Sequence, residues 1–571
     1  MVKLSAQKVS ATAACGSQPI ISLVVFFSYS NRGRKPWRAG ANAGVVLVLA
    51  LFLALHARGQ TGAENGQEGS GESRGRILLV LPFDNRTGQP SLEWIREAAS
   101  SLLSSRFASA GFSPMSRADR LYALDHLGLP EGFQPSRASS LKLAQTLDAD
   151  SIIVGSYQTD GTSIVAEGRV VDVTHLRMSA PVTSRGEMRD LIAVFDSLAW
   201  KLTRQLDPGF SGSEETFVAA GKGLHLDAFE QYIRGITEPD QVERLRHLKE
   251  AVQLSPDFGA AWMALGREDY SGQQYEQAAA AFGKVGRNTP DALEAGFYRG
   301  LSLLFSGNYP QAQEAFAEVA RVLPLAEVLN NEGVAISRQG RDGSGLFRQA
   351  VAADPSAADY HFNLAVSLKR KGAAGEAVTE LGQCLKLRPS DSEAQGLLAA
   401  WKAPAVAGGS EAQTDPLERI VRTFDAVAFR QAALMMDQME AMRLAALTPQ
   451  QRALKLAGQA KGYLDRGLLL EAERLYQSAV AADGLIAEAH AGLAEVRERT
   501  GDAAGARKEA EAALSLEPSA SAYLVLGRLD LASNRLDEAG KEASEALKLD
   551  PKSRAALDLK QKIDLKSGKA Q

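Results

Sequence analysis

Cysteine is almost absent from this chain. Only Cys15 and Cys384 occur in 571 residues, which excludes a disulfide framework and any Cys/His metal cluster. Aromatic residues are few, at 6%. Neither sign of charge dominates: 64 basic residues stand against 68 acidic ones, for a net charge of −4. The basic excess of a nucleic-acid binder is therefore missing. No GxxxxGK(S/T), GxSxG or HExxH string is present, and no EF-hand loop. The seven histidines are scattered without metal-ligand spacing. These gaps point away from an enzyme, from a cofactor or metal site, and from nucleic acid as a partner.

What is present divides the chain into blocks. Arg32, Arg34, Lys35 and Arg38 precede an unbroken apolar run, Val45–Leu55. A run of this length fits the core of a signal peptide and is short for a membrane span. Two readings of residues 1–57 follow. One is a signal peptide cut after Ala57, sending the protein to the periplasm or outer envelope. The other is an uncut inner-membrane anchor over 39–57, with the bulk outside the cytoplasm. A second apolar run, Ile20–Phe27, lies upstream of the basic cluster, so the natural start is expected later in the chain. Residues 58–75 are rich in Gly, Glu, Gln and Ser and read as a flexible linker.

Residues 76–207 carry mixed signals in the order β-α-β-α-α-β-β-β-α, which predicts a layered α/β domain with a mixed sheet. The apolar run 76–83 is a buried strand closed by Asp84-Asn85, and 151–157 is another after the Asp148-Ala149-Asp150 turn. Asp84, Asp148 and Asp150 follow or precede strands, where acidic residues ordinarily make turns.

Leu79-Val80-Leu81-Pro82-Phe83-Asp84-Asn85, then Leu143 to Asp150, then Ile153-Val154-Gly155-Ser156 together resemble a bacterial envelope domain. It is the one at the N-terminus of TolB, related to the CsgG and FlgO proteins. The resemblance implies an interaction domain that docks on an envelope partner. It does not imply a pore, because the membrane-hairpin insertions of CsgG are missing, as are the propeller repeats of TolB.

Residues 208–225 read as a Gly/Ser-rich linker, and from residue 226 the pattern is helical. In 259–291, Trp262, Leu265, Gly266, Ala278, Phe282 and Pro290 fall at positions 4, 7, 8, 20, 24 and 32. The spacing is similar to that of the tetratricopeptide repeat (TPR), a helix–turn–helix unit of about 34 residues. Trp262, Leu265 and Gly266 share a face of one helix, and Ala278 and Phe282 a face of the next. Small residues at Gly266 and Ala278 allow close approach, and Pro290 ends the unit. The pattern recurs with drift. It predicts a first array over 226–401 with about five repeats, and a second over 453–568 with about three repeats and a polar capping helix. Cys384, at position 27 of its repeat, reads as a buried core thiol. Between the arrays, 402–415 reads as a linker. Residues 416–447 read as a Met-rich helical segment, with Met435, Met436, Met439, Met442, Phe424 and Phe429. Such methionines either pack between the arrays or form a binding surface. The predicted fold class is therefore an α/β N-terminal domain followed by an all-α TPR solenoid in two arrays.

An array of this type offers a concave groove lined by the first helices of its repeats. Asn331 and Asn363 fall at position 6 of theirs. An amide both donates and accepts, so an asparagine there either bonds a neighbouring turn or grips the backbone of a ligand. Arg338, Lys369 and Arg370 add a basic patch suited to a carboxylate, or a solvated face. A full two-carboxylate clamp is not expected, since position 6 of the preceding repeats is Ala264 and Tyr298. The expected function is a non-enzymatic exported scaffold that holds a protein or peptide in its grooves. The alternative is a regulatory module in which the α/β domain binds a small ligand and the arrays relay its state.

Overall fold

The first strand of the α/β domain is apolar throughout because both of its faces are covered. β1 (Ile77–Val80) turns Leu78 and Val80 to one side of the sheet, and Leu79 and the following Leu81 to the other. A strand buried on both faces reads as a continuous hydrophobic run. The structure, a computed structural model, describes residues 77–132, 136–160, 162–287, 289, 291–403, 415–424 and 439–567. The leader or anchor, the spacer to residue 75, Cys15, Pro290, Phe429, Met435, Met436 and most of the 402–415 linker lie outside the described residues.

β1 pairs in parallel with β3 (Ser113–Pro114) and β4 (Ser151–Asp160), and the short β2 (Asp84–Asn85) also runs parallel to β4. β4 and β5 (Ser163–Asp172) form a long antiparallel hairpin. β6 (Arg177–Met178) and β7 (Val182–Glu187) lie along the far edge of β5. The sheet order is β3-β1-β4-β5-β6. Helices α1 (Ile95–Ser109) and α4 (Leu191–Leu206) cover one face with Phe107 and Phe195. α2 (Arg117–His126) and α3 (Arg137–Thr146) cover the other with Leu124 and Leu143. The mixed α/β domain predicted from the sequence is thus present.

The stretch just after β1 and strand β4 meet physically through Phe83 and Gly155. A Cβ on Gly155 of β4 would lie 2.2 Å from Cε2 of Phe83 and 2.4 Å from the Glu167 carbonyl oxygen. Phe83 can lie across the sheet only because residue 155 has no side chain. Its ring also meets Phe195 edge-on at 5.8 Å. Two of the turn residues, Asp150 and Asn85, serve the backbone. Asp150 accepts the Ile77 N–H at 2.9 Å, which ties the start of β1 to the turn before β4. Asn85 accepts the Thr87 N–H at 2.9 Å in an Asx turn.

The 208–225 stretch is not a plain linker. It holds helix α5 (Glu214–Gly221), N-capped by Ser213. Phe217 is fully buried in the α/β core, Phe210 packs on it edge-on, and Trp200 Nε1–H donates to the Gly212 carbonyl at 2.8 Å. Two aromatic anchors outweigh the Gly/Ser composition of the segment.

The first array starts with α6 (Leu226–Thr237) and α7 (Gln241–Leu254), followed by α8 (Gly259–Ser271) and α9 (Tyr275–Phe282). Phe229 and Ile233 of α6 join the α/β core, so the two regions share packing rather than meeting at a loop. Next come α10 (Ala292–Phe305), α11 (Tyr309–Val322), α12 (Ala326–Ser337), α13 (Ser344–Ala353), α14 (Ala358–Arg370), α15 (Ala374–Leu387) and α16 (Ser392–Lys402). The expected close approach is present. A Cβ on Gly266, Gly300 or Gly333 would fall 2.7, 2.7 or 2.8 Å from the ring of Phe282, Phe316 or Phe347. In the fifth repeat the glycine is Ala365 and its partner is the smaller Leu381, both fully buried. Cys384 is fully buried too, and burial pushes its thiol up to about 11.

The second array comprises α17 (Pro449–Asp465), α18 (Leu469–Ala482), α19 (Ala487–Thr500), α20 (Ala503–Leu516), α21 (Ala520–Ala532), α22 (Leu536–Leu549) and α23 (Arg554–Lys566). Its first repeat returns to the α/β domain. Leu470 enters the core beside Phe217. Glu473, fully buried, accepts the Ser213 N–H at 3.3 Å and bonds Thr216. Gln477 Nε2–H donates to the Ser211 carbonyl at 2.9 Å. All these elements belong to one compact unit, Glu72–Gln571.

Candidate peptide-binding groove

Residues 415–424 are not helical, contrary to the helical reading of 416–447, which is met within the described part only from residue 439. Pro416 biases the preceding Asp415 towards extended chain, and Ile420, Val421 and Thr423 favour it further on. The segment lies in the groove of the first array, across α14, α12 and α10 in turn. The groove supplies the hydrogen bonds that a helix would have made internally.

Position 6 of three consecutive repeats reads this backbone. Asn363 on α14 donates Nδ2–H to the Arg419 carbonyl at 2.7 Å and accepts the Arg419 N–H at 2.6 Å. Asn331 on α12 does the same to Val421, at 2.8 and 3.0 Å. The Tyr298 hydroxyl on α10 bonds the backbone of Phe424, and burial raises its pKa. Residues 419 and 421 present their N–H and C=O groups on the same edge, as an extended chain does. Asn330 ties the two asparagines together: it accepts from Asn363 at 2.8 Å and donates to Asn331 at 3.1 Å. Asn330, Asn331 and Asn363 are all fully buried. Their amide orientations are the ones this reciprocal network requires.

Side chains alternate along the segment. Glu418, almost fully buried, lies between Arg338 and Arg370 at the C-terminal ends of α12 and α14. Arg338 Nη2–H also donates to the Glu418 carbonyl at 3.2 Å, and Arg370 to the Pro416 carbonyl at 2.7 Å and to Asp415 at 3.0 Å. Arg419 points the opposite way, to Asp359, Asp391 and Glu393. The Arg419 guanidinium, working against burial, holds the Asp391 carboxyl below its usual range. The same guanidinium sits 3.6 Å above the Phe362 ring. Ile420 packs against the apolar cluster that includes Val334 and Leu368, and Val421 against the cluster of Leu329, Ala350 and Tyr360. Arg422 lies over Phe305, and Phe424 tilts against Phe297 at 5.5 Å.

Four of the five residues picked out in the sequence, Asn331, Asn363, Arg338 and Arg370, therefore meet on one segment. Lys369 does not join them: its ammonium lies 5.7 Å from the ring centre of Trp401. The sequence reading missed Tyr298, Asn330, Asp359 and Phe362, and it missed Glu418 and Arg419 on the bound side. The available signal was three β-branched residues, Ile420, Val421 and Thr423, shortly after a proline.

Among the described residues no helix is long and apolar enough to cross a membrane, and no acidic, His or Cys cluster could hold a metal ion.

Among known families, the tetratricopeptide repeat matches residues 263–321, 337–392, 458–516 and 499–554. No curated protein matches the chain. Among solved structures, the C-terminal domain of LpoB from Salmonella enterica is 19% identical over 21% of this chain and 89% of that one, with a TM-score of 0.19. MamA from Desulfovibrio magneticus is 20% identical over 32% of this chain and 99% of that one, with a TM-score of 0.26. YrrB, described as a TPR protein with an unusual peptide-binding site, is 15% identical over 35% of this chain and 98% of that one, with a TM-score of 0.27. The helical arrays that follow the α/β domain are built of tetratricopeptide repeats.

Proposed function

We propose that this chain is a non-enzymatic scaffold, exported to the bacterial cell envelope, that holds partner proteins by extended segments laid into its TPR grooves. One observation carries the reading: Asn363 and Asn331 each bond both the N–H and the C=O of one residue of the extended segment 415–424, Arg419 and Val421 respectively. Recognition through main-chain groups works for any extended chain, and the surrounding pockets select among sequences. Arg32–Arg38 followed by Val45–Leu55 supports export. The likeness of residues 79–85 and 143–156 to the TolB N-terminal domain supports an envelope partner for the α/β domain.

The test is capture from envelope extracts with the tagged full chain, comparing wild type with Asn331→Ala/Asn363→Ala. Phe229 and Ile233 belong to the α/β core, so point variants are cleaner than removing residues 226–571. The expected result is a partner retained by wild type and lost by the variant. A partner set unchanged by the variant would sink the groove reading. Sequencing the N-terminus of the mature protein tests export: a start near residue 58 is expected for a cleaved signal.

A further inference from the structure

Building on the groove reading, we propose that residues 415–424 stand in for an external ligand: an internal, extended segment of another protein carrying Glu-Arg-aliphatic-aliphatic-x-x-aromatic. The segment and that ligand exclude each other from the groove.

The groove specifies this chemistry position by position. The glutamate site is a buried cleft between two guanidiniums, Arg338 and Arg370. The adjoining arginine site has three carboxylates around it, Asp359, Asp391 and Glu393, with the Phe362 ring beneath. The order is read as well as the content. A ligand with Arg before Glu would set each charge against its own sign, and such repulsion is an effective source of specificity. The next two sites are apolar: Ile420 lies against the array's core cluster and Val421 against the cluster of Leu329, Ala350 and Tyr360. The last is the Phe297 face.

The chain continues beyond both ends of the gripped stretch, and every described groove contact is to an internal residue. The ligand is accordingly an internal segment. The built-in copy is tethered, so it competes at an effective concentration on the order of millimolar. A partner therefore reaches the groove by adding a second contact elsewhere, or when the built-in copy is weakened.

The test is a fluorescence-anisotropy titration with the labelled peptide DPLERIVRTF on the full chain. Wild type is compared with Glu418→Ala/Arg419→Ala, which weakens the built-in segment and leaves the groove intact. Binding to the variant about tenfold or more tighter than to wild type is expected. It should vanish when Asn331→Ala/Asn363→Ala is added. A peptide with Glu and Arg exchanged should bind about tenfold more weakly or worse. Equal affinity for wild type and variant, or for the exchanged peptide, overturns the proposal. If the double variant does not fold, Arg419→Ala alone takes its place, with a peptide-induced rise in Tm as a second readout. A wild-type dimer that Arg419→Ala dissociates makes the occupant a second copy, and also overturns it. Partner capture lost in Asn331→Ala/Asn363→Ala, with no peptide binding here, leaves the groove reading standing and removes only this one.

Discussion

The Asn363 side-chain amide makes a reciprocal pair of bonds with Arg419, donating to its carbonyl at 2.7 Å and accepting its N–H at 2.6 Å. A buried reciprocal pair of this type contributes about 1–3 kcal/mol to holding the segment in place. Asn363→Ala is expected to raise the open population of 415–424 by roughly tenfold or more. Trypsin reports it directly, because Arg419 and Arg422 become cleavable only when the segment leaves the groove. Mass spectrometry of the earliest fragments should show cuts after both arginines appearing faster in the variant. Unchanged early cutting would mean that the clamp does not hold the segment.

The Phe83–Gly155 contact gives a second expectation. Gly155→Ala forces Phe83 or the β4–β5 ladder to move and should destabilise the α/β domain by about 1–3 kcal/mol. Urea denaturation followed by circular dichroism measures it. Adding Phe83→Leu should recover part of the loss, since the smaller side chain yields space. A neutral Gly155→Ala would show that the site relaxes freely.

Glu473 fastens the second array to α5. It is fully buried, and burial raises its pKa while the Thr216 and Ser213 contacts and Arg497 lower it. Glu473→Ala leaves the Ser213 N–H without this acceptor and should cost about 1–3 kcal/mol at that junction. Small-angle scattering on the full chain should report a larger radius of gyration, and hydrogen exchange at Ser213 should quicken. An unchanged radius and unchanged exchange would assign the junction to Leu470 and Gln477 instead.

Burial and the neighbouring Asp530 carboxylate push Glu542 on α22 up to about 7, while Arg507 and Arg535 hold Asp530 low. A carboxyl whose pKa is raised by folding gives stability that is full below its ordinary value near 4.5. That stability is lost as pH climbs through about 7. The Tm of the second array should thus fall between pH 5 and 8. Glu542→Gln should raise Tm at pH 8, leave it nearly unchanged at pH 5, and flatten the profile between. Parallel profiles for the two proteins would show that Glu542 does not carry a shared proton.

The repeats were readable because their spacing has a direct geometric cause. Gly266 under Phe282, and Ala365 under the smaller Leu381, are visible in the sequence as paired sizes. Asn331 and Asn363 were readable for a similar reason, since position 6 faces the groove. What those amides hold was not. Residues 416–424 sit beside a methionine-rich stretch and carry enough leucine, arginine and glutamate to pass for a helix. Their extended form is imposed by partners far off in sequence, which is tertiary context overriding local preference. Tyr298 looked like a break in the asparagine pattern, yet its hydroxyl continues the same ladder. The α5 region was obscured in the same way. Its glycines and serines dominate the composition, while Phe210 and Phe217 decide where it goes.

The return of the second array to α5 alters how the groove behaves in time. Segment 415–424 is moored upstream by α16 and downstream by an array that Leu470 and Glu473 fix to the α/β domain. When it leaves the groove it stays leashed at both ends and cannot diffuse away. Its return is then an intramolecular step, expected to be independent of protein concentration.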